Sequence, residues 1–274
     1  MISNEPAAVA GEPVAGANET AVEASPGPGR VCPLRYRYGP RAIARAPERR
    51  ARALYVVGGL YGNLPALDAV EAMARAEPGA TICFNGDFNW FDVDDGAFAE
   101  VNARVLAHDA TLGNVEAEFD AGADDAGCGC AYPDSVDSAI VDLFASTHTC
   151  LPALRRFALP GGAAGWIVNN GAAGMPNFRG RLHGLCVRIG ESPSPHESLA
   201  EVQVAGAHVS LVPVRYAESL WQAAFLANWP EGSAAWLSYF DRIARGPGFE
   251  PHQALGPALP VSDRIAAGAP AGLP

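Results

Sequence analysis

Residues 53–87, ALYVVGGLYGNLPALDAVEAMARAEPGATICFNGD, show the clearest secondary-structure pattern in the chain. The apolar, β-branched run Ala53–Val57 ends in two glycines, which is typical of a buried strand leading into a tight turn. Apolar residues then recur at helical spacing over Leu64–Ala76, with Asn63 in position to cap the helix N-terminus. A second apolar run, Thr81–Phe84, follows. The stretch therefore predicts a strand–helix–strand unit.

The same order continues downstream. A second helix is predicted at about 97–107, and a brief strand ends at Leu112-Gly113-Asn114. Strands that alternate with helices form parallel βαβ units, whose functional residues collect in loops at the carboxyl ends of the strands. Beyond residue 150 the pattern predicts short strands followed by two helices; the strands are Ala153–Phe157, Gly165–Asn169, Leu182–Ile189, Glu201–Ala205 and His208–Arg215, and the helices are Ala217–Ala227 and Ser233–Ala244. These elements predict one layered α/β domain over residues 53–245.

Three segments flank this domain. Residues 1–29 are acidic and rich in Ala, Gly, Pro and Ser, which predicts a disordered arm. Residues 30–52 form an arginine-rich lead-in with a short surface helix near 40–52, and residues 246–274 form a Gly/Pro/Ala-rich flexible tail.

Composition excludes several kinds of chemistry. The chain has 274 residues, and its nineteen basic residues are all arginine. Schiff-base chemistry, Ser-Lys dyads and a P-loop lysine are therefore excluded. A net charge of −11 disfavours nucleic acid as a partner. There is no apolar run of the roughly 20 residues that span a membrane, and the six scattered cysteines do not form a disulfide framework. These features predict a cytoplasmic protein with reduced thiols.

Five short segments occur where loops should follow strands: Gly59–Asn63, Gly86-Asp87, Gly113–Glu116, Thr147–Cys150 and Asn169–Pro176. Their order and spacing resemble the calcineurin-like metallophosphoesterase family, over about residues 54–188. The corresponding motifs of that family are Asp-x-His-Gly-Asn, Gly-Asp, Gly-Asn-His-Asp/Glu, Gly-His-x-His and a later Asn-Pro-Gly-Ser turn.

The resemblance implies a four-layer α/β/β/α sandwich and a metal-dependent phosphoric ester hydrolase. In that family two divalent metals hold a hydroxide that attacks phosphorus in line. Carried over by position, Asp87 would be the bridging carboxylate, while Asn114 and His148 would be ligands of the second metal. Cys150 takes the place of the last histidine and can ligate zinc or iron as a thiolate. The implied cofactor is one or two ions of Mn, Fe or Zn, and the implied substrate is a small phosphomono- or diester.

The chain departs from the family at three other positions. Gly59 and Tyr61 stand where the first motif has its Asp and His, and Val115 stands where a histidine assists the leaving group. Valine cannot transfer a proton. Only 31 residues, Ala117 to Thr147, separate the third and fourth motifs, and none of them is histidine. These departures favour an alternative, a catalytically degenerate member that binds a ligand or a protein. The retained Asp87, Asn114 and His148 favour the hydrolase, which is the prediction made here.

Each residue also has a structural interpretation. Asp87 and Asn114 could be turn residues, His148 a core or surface histidine, and Cys150 a small buried hydrophobe. Trp90 and Phe91 lie among carboxylates and are predicted to wall a substrate pocket.

Three weaker interpretations also stay open. Arg155 is a candidate phosphate contact. The Cys128-Gly-Cys130 pair could bind zinc or form a redox couple. A dinucleotide-binding alternative rests on Gly58-Gly59-x-x-Gly62, whose spacing departs from Gly-x-Gly-x-x-Gly because residue 60 is Leu.

Overall fold

Two β-sheets of unequal size carry the part of the chain that the computed structural model describes, which is residues 49–116, 143–147, 150–158 and 164–255. The larger sheet has six strands, in the order β3 (Asp109–Ala110), β2 (Ala80–Phe84), β1 (Ala53–Val57), β7 (Gly184–Gly190), β9 (Ala207–Val214) and β8 (Ala200–Val204). The smaller sheet has three, in the order β4 (Leu143–Ser146), β6 (Ala164–Asn169) and β5 (Ala153–Ala158). Helices accompany them, so the predicted α/β class is confirmed. The acidic arm, most of the arginine-rich lead-in and the Cys128/Cys130 pair lie outside the described residues.

The predicted strand–helix–strand unit is present at the start of the large sheet. It comprises β1 (Ala53–Val57), α1 (Leu64–Ala76) and β2 (Ala80–Phe84), followed by α2 (Asp95–Val105) and β3 (Asp109–Ala110). β1 pairs with β2 in parallel, and β2 pairs with β3 in parallel. The Asn63 side chain accepts a 3.0 Å hydrogen bond from the Ala66 N–H, as its position before the helix predicts.

The second half supplies antiparallel strands to both sheets. β7 (Gly184–Gly190), β8 (Ala200–Val204) and β9 (Ala207–Val214) complete the large sheet. β5 (Ala153–Ala158) and β6 (Ala164–Asn169) pair antiparallel in the small sheet. One small-sheet strand, β4 (Leu143–Ser146), was not predicted from sequence, and it pairs with β6 in parallel.

The large sheet is covered on both faces. Its strands alternate, so that Tyr55, Val57 and Cys186 face α1 and α2, whereas Val56, Leu185 and Val187 pack toward the small sheet. A strand that is buried on both faces has a nearly continuous run of apolar residues instead of alternating apolar and polar ones. This explains the composition of β1 and β7. The described residues therefore stack as a helical layer, a six-stranded sheet and a three-stranded sheet.

The C-terminal helices pack over the carboxyl ends of the strands. They are α3 (Glu218–Asn228), a π-helical turn Trp236–Phe240 that runs directly into α4 (Asp241–Arg245), and α5 (Pro251–Leu255). α5 packs against β5, and its Ala254 and Leu255 are buried in the core between the sheets. The packed structure thus continues beyond residue 245, where the sequence predicts a flexible tail. No helix in the described ranges is long and apolar enough to cross a membrane.

A buried ion pair closes the opposite end of β1. Arg188 of β7 is fully buried, and its guanidinium forms a salt bridge with Glu77 at the end of α1. The Tyr55 hydroxyl donates to the same carboxylate at 2.7 Å, and the His196 Nε2 lies 2.9 Å from that hydroxyl. The arginine's hydrogen bonds lower the pKa of Glu77, so the carboxylate stays ionised.

Candidate functional site

The loops that follow β1, β2, β3, β4 and β6 meet at one edge of the two sheets and form a cleft of about 180 Å³. All five sequence segments contribute side chains to it. The lining residues are Tyr61, Asp87, Trp90, Asn114, Val115, Cys150, Met175, Tyr239 and Arg242. Tyr239 and Arg242 come from the C-terminal helical region, which covers the cleft from the side.

Glu116 clamps two of these loops together. Its buried carboxylate accepts hydrogen bonds from the backbone N–H groups of Asp87 (2.9 Å), Phe88 (2.9 Å) and Asn89 (3.1 Å) in the loop after β2. It also accepts one from Gly113, at 2.9 Å. A carboxylate can satisfy four such donors because its two oxygens offer about four lone-pair sites. Glu116 is therefore a positioning residue, and its carboxylate is already fully engaged.

The turn after β6 is fixed against the loop after β1. The Asn63 amide donates to the Gly174 carbonyl at 2.8 Å, and the Asn170 amide donates to the Gly58 carbonyl at 2.9 Å. A Cβ at Gly174 would lie 1.8 Å from the Leu60 carbonyl oxygen, so only glycine allows this approach. The first and last motifs, about 110 residues apart, are thus locked together by backbone contacts.

Strained backbone is concentrated at the cleft. Among the described residues, four non-glycine residues have positive φ: Tyr61 (56°), Asp87 (55°), Cys150 (49°) and Ala205 (48°). The first three line the cleft. Such conformations cost on the order of 1–3 kcal/mol each and persist where surrounding contacts enforce them, commonly at functional sites. Here the enforced geometry directs all three side chains toward one space.

Tyr61 and Cys150 contact each other in the cleft. The Tyr61 hydroxyl lies 2.7 Å from the Cys150 Sγ, and either atom could be the donor. Burial raises the pKa of Tyr61 well above its usual value and also raises the pKa of the Cys150 thiol. Both groups are therefore neutral near pH 7.

Asp87 and Asn114 share the floor of the cleft. Asp87 is only 4% exposed, and its Oδ1 accepts a long 3.5 Å hydrogen bond from the Val115 N–H. A Cβ at Gly113 would lie 2.1 Å from that same oxygen, which explains why glycine precedes Asn114. The structure therefore brings together Asp87, Asn114 and Cys150, three of the four predicted ligands; His148 lies outside the described residues.

Arg242 supplies a cation to the cleft. One terminal NH2 group donates to the Cys150 carbonyl at 2.8 Å, which orients the guanidinium across the loop after β4. Its Nε is buried and has no hydrogen-bond partner among the described residues. A buried donor without an acceptor costs about 1–3 kcal/mol.

Aromatic residues form one wall. Trp90 is 41% exposed, whereas Phe91 is buried. Phe91 makes edge contacts with Trp90 at 6.5 Å and with Tyr239 at 5.1 Å between ring centroids. The Phe91 carbonyl accepts hydrogen bonds from Asn228 and Trp229, both at 3.2 Å. Phe91 therefore anchors the loop after β2 to the C-terminal helices.

The described donors do not complete the metal site that the family resemblance implies. In the described ranges, no group of three or more His, Cys, Asp or Glu side chains is placed to hold a metal ion. Gly59 and Val115 have no side-chain atom that can ligate a metal ion. Tyr61 is a neutral phenol in contact with Cys150, and the Glu116 carboxylate is engaged with backbone N–H groups. One carboxylate, one amide and a thiol in contact with tyrosine remain.

The predicted substrate contacts are placed differently from one another. Trp90 lines the cleft, while Phe91 lies behind it in the aromatic cluster. Arg155 of β5 donates to the carbonyls of Leu154 and Ala254, beside α5.

Tyr239 and Arg242 were not predicted, because a helix face far along the sequence carries no motif that points to a distant loop. Glu116 could be recognised as part of the third motif, since it follows Gly113-Asn114. The sequence alone does not show that its carboxylate accepts hydrogen bonds from backbone N–H groups.

Among solved structures, the chain is similar to a bacterial metallophosphoesterase. That metallophosphoesterase, from Sphaerobacter thermophilus, is 15% identical to this chain, with a TM-score of 0.48, and the match covers 71% of this chain and 100% of that chain. No protein-family model matches the chain. A search of curated proteins also found no match. Membership of the metallophosphoesterase family stays a prediction.

Proposed function

We propose that this chain is a metallophosphoesterase-like protein in which the cleft binds a small phosphate-bearing molecule through Arg242, without a metal ion. The four-layer arrangement and the cytoplasmic location belong to the same proposal. It is the degenerate, ligand-binding alternative of the sequence analysis, with the binding group named. The observation that supports it is the Arg242 guanidinium, which lines the cleft and forms no salt bridge among the described residues.

Arginine chemistry favours a phosphate or another oxyanion as the ligand. The planar guanidinium carries several N–H donors in a fixed geometry that matches the oxygens of a phosphate. In Arg242 one NH2 group already donates to the Cys150 carbonyl, so the chain fixes the side chain before a ligand arrives. Little side-chain entropy is then lost on binding.

The residues that replace the catalytic motifs support binding rather than turnover. Val115 lines the cleft where a proton donor would assist a leaving group. Tyr61 and Cys150 are both neutral near pH 7, because burial raises both pKa values. A neutral thiol and phenol lie against a phosphate without like-charge repulsion.

The test is calorimetric titration of the full chain with methyl phosphate in buffer containing EDTA. We expect saturable 1:1 binding that is reduced at least about tenfold in Arg242→Gln, because a charged hydrogen bond contributes about 1.5–3 kcal/mol. Arg245→Gln removes the same charge one turn further along, at an 80% exposed side chain that pairs with Asp241. It should bind like the wild type. Wild type without binding, or equal loss in both variants, would refute the proposal.

A second candidate, metal-dependent phosphoester hydrolysis, is favoured by one observation: Asp87, Asn114 and Cys150 line the same cleft. Carboxylate, amide and thiolate are all ligands of zinc or iron.

The variant Asp87→Asn distinguishes the two proposed functions because it removes a charge at nearly constant shape. Metal-free binding predicts tighter binding of methyl phosphate, since a like charge is removed. A metal site predicts loss of stoichiometric Mn, Fe or Zn by elemental analysis, together with loss of phosphoester turnover.

A further inference from the structure

Resting on the proposed function, we infer that the ligand carries a planar ring beside its phosphate, and that the ring packs on Trp90 and Tyr239 while Arg242 holds the phosphate. The ligand class is thus a phosphate ester of an aromatic or heteroaromatic group. Trp90 comes from the loop after β2, and the other two residues come from the C-terminal helical region.

Tyr239 and Arg242 act as a pair because of the local helix geometry. They are three residues apart, and side chains at this spacing lie on neighbouring positions of one helix face. Tyr239 belongs to the π-helical turn Trp236–Phe240, which runs directly into α4. π-helical turns are rare and occur frequently at functional sites. Both side chains line the cleft, so a ring and a cation are presented together.

Trp90 lines the same cleft from the loop after β2. Its backbone N–H donates to Asp92 Oδ1 at 2.8 Å, and its ring contacts Phe91, which also contacts Tyr239. The indole contacts the buried Phe91 ring and is 41% exposed. An exposed indole that lines a cleft offers a large apolar surface for a ligand ring.

The dimensions fit a single ring and a phosphate. An engineered cavity of about 150 Å³ in another protein binds benzene, and this cleft measures about 180 Å³. Tyr61, Cys150 and Met175 form a neutral wall of this cleft, which is partly open to solvent. The volume is sufficient for a single ring, and the open side leaves room for its phosphate.

The experiment compares phenyl phosphate with cyclohexyl phosphate at about pH 8.5, where both are dianions; cyclohexyl phosphate has nearly the same size but no planar π-system. Calorimetric titration of the full chain should show phenyl phosphate binding about five- to tenfold more tightly, the range expected for an aromatic contact. Equal affinities for the two esters would overturn the ring inference and leave the proposed function intact. Absence of binding by either ester would refute the proposed function itself.

Variants assign the preference to the two rings. Trp90→Leu and Tyr239→Leu should each reduce the phenyl-to-cyclohexyl ratio by at least about half, while Trp90→Phe keeps most of it. Phe249→Leu is the matched control, because Phe249 is a 45% exposed aromatic residue outside the cleft lining. It should leave the ratio unchanged. Circular dichroism of each variant checks the fold, and a ratio insensitive to both Trp90 and Tyr239 in folded variants would overturn the inference.

Discussion

The Glu116 carboxylate accepts the backbone N–H of Asp87 at 2.9 Å, and this contact holds Asp87 in a left-handed conformation with φ of 55°. The acid that resembles part of a catalytic motif is thus a structural group. It joins the loop after β2 to the loop after β3, and both loops contribute to the cleft.

Glu116→Gln is expected to destabilise the fold by about 3 kcal/mol, because an amide nitrogen would then face backbone N–H donors and leave them unsatisfied. Denaturant unfolding followed by circular dichroism measures the change. Glu100→Gln is the control, since Glu100 is 54% exposed and pairs with Arg104 on the same helix. It should cost less than about 0.5 kcal/mol. Equal stabilities of the two variants would show that the clamp contributes nothing.

The first βαβ unit was predictable because local signals agree. Leu64–Ala76 forms a helix over the predicted residues, since apolar spacing, an Asn63 cap and Pro65 near the start all favour it. The antiparallel strands of the second half were also predicted, within about two residues at each end. β4 was not, because four residues followed by a threonine give too little pattern to recognise.

The cleft was predictable only in part. The motifs placed Asp87, Asn114 and Cys150 at strand ends, and parallel strands bring such ends to one edge. Arg242 and Tyr239 reach the cleft through helix packing, which depends on tertiary contacts rather than local pattern. The engagement of Glu116 with four N–H groups similarly depends on how two loops meet, which no spacing rule expresses.

Glu77→Gln is expected to cost about 3–5 kcal/mol, because it leaves the fully buried Arg188 guanidinium without its counter-charge. The pKa of Glu77 is lowered in the folded state, chiefly by hydrogen bonds from Arg188. The contribution of ionised Glu77 to stability is therefore complete above its pKa in the unfolded chain, about 4.3. It is lost as the pH falls through the lower pKa of the folded state. Denaturant unfolding from pH 7 to pH 3 should show that the free energy of unfolding falls less with decreasing pH in the variant than in the wild type. An equally steep fall in both proteins would contradict this assignment.

Cys150 is expected to react with iodoacetamide more slowly than an ordinary thiol at pH 8, because burial raises its pKa. Cys186 is fully buried, and burial raises its pKa to about 12, so it should not react in the folded protein. Peptide mapping by mass spectrometry separates the two rates. Tyr61→Phe should slow the reaction of Cys150 further, since the hydroxyl can donate to the thiolate. Faster alkylation in that variant would contradict the proposed hydrogen bond.

His183 makes the fold sensitive to mild acid. The residue is 7% exposed, its Nδ1 lies 3.1 Å from the Gly184 carbonyl, and burial lowers its pKa to about 4. The unfolded chain therefore takes up a proton near pH 6.5 that the folded chain takes up only near pH 4. Stability is full above about pH 6.5 and falls by about 3 kcal/mol as the pH drops to about 4.

His183→Asn should reduce this loss of stability at low pH, because an asparagine amide can still donate to the Gly184 carbonyl and does not titrate. Urea unfolding at pH 7, 6, 5 and 4 measures the slope, with His252→Asn as the control at an exposed histidine. Burial also lowers the pKa of His196, so part of the slope remains in both variants. The difference between wild type and His183→Asn isolates the buried imidazole. If that difference stays constant from pH 7 to pH 4, His183 titrates alike in the folded and unfolded chain, and its burial is not the source of acid sensitivity.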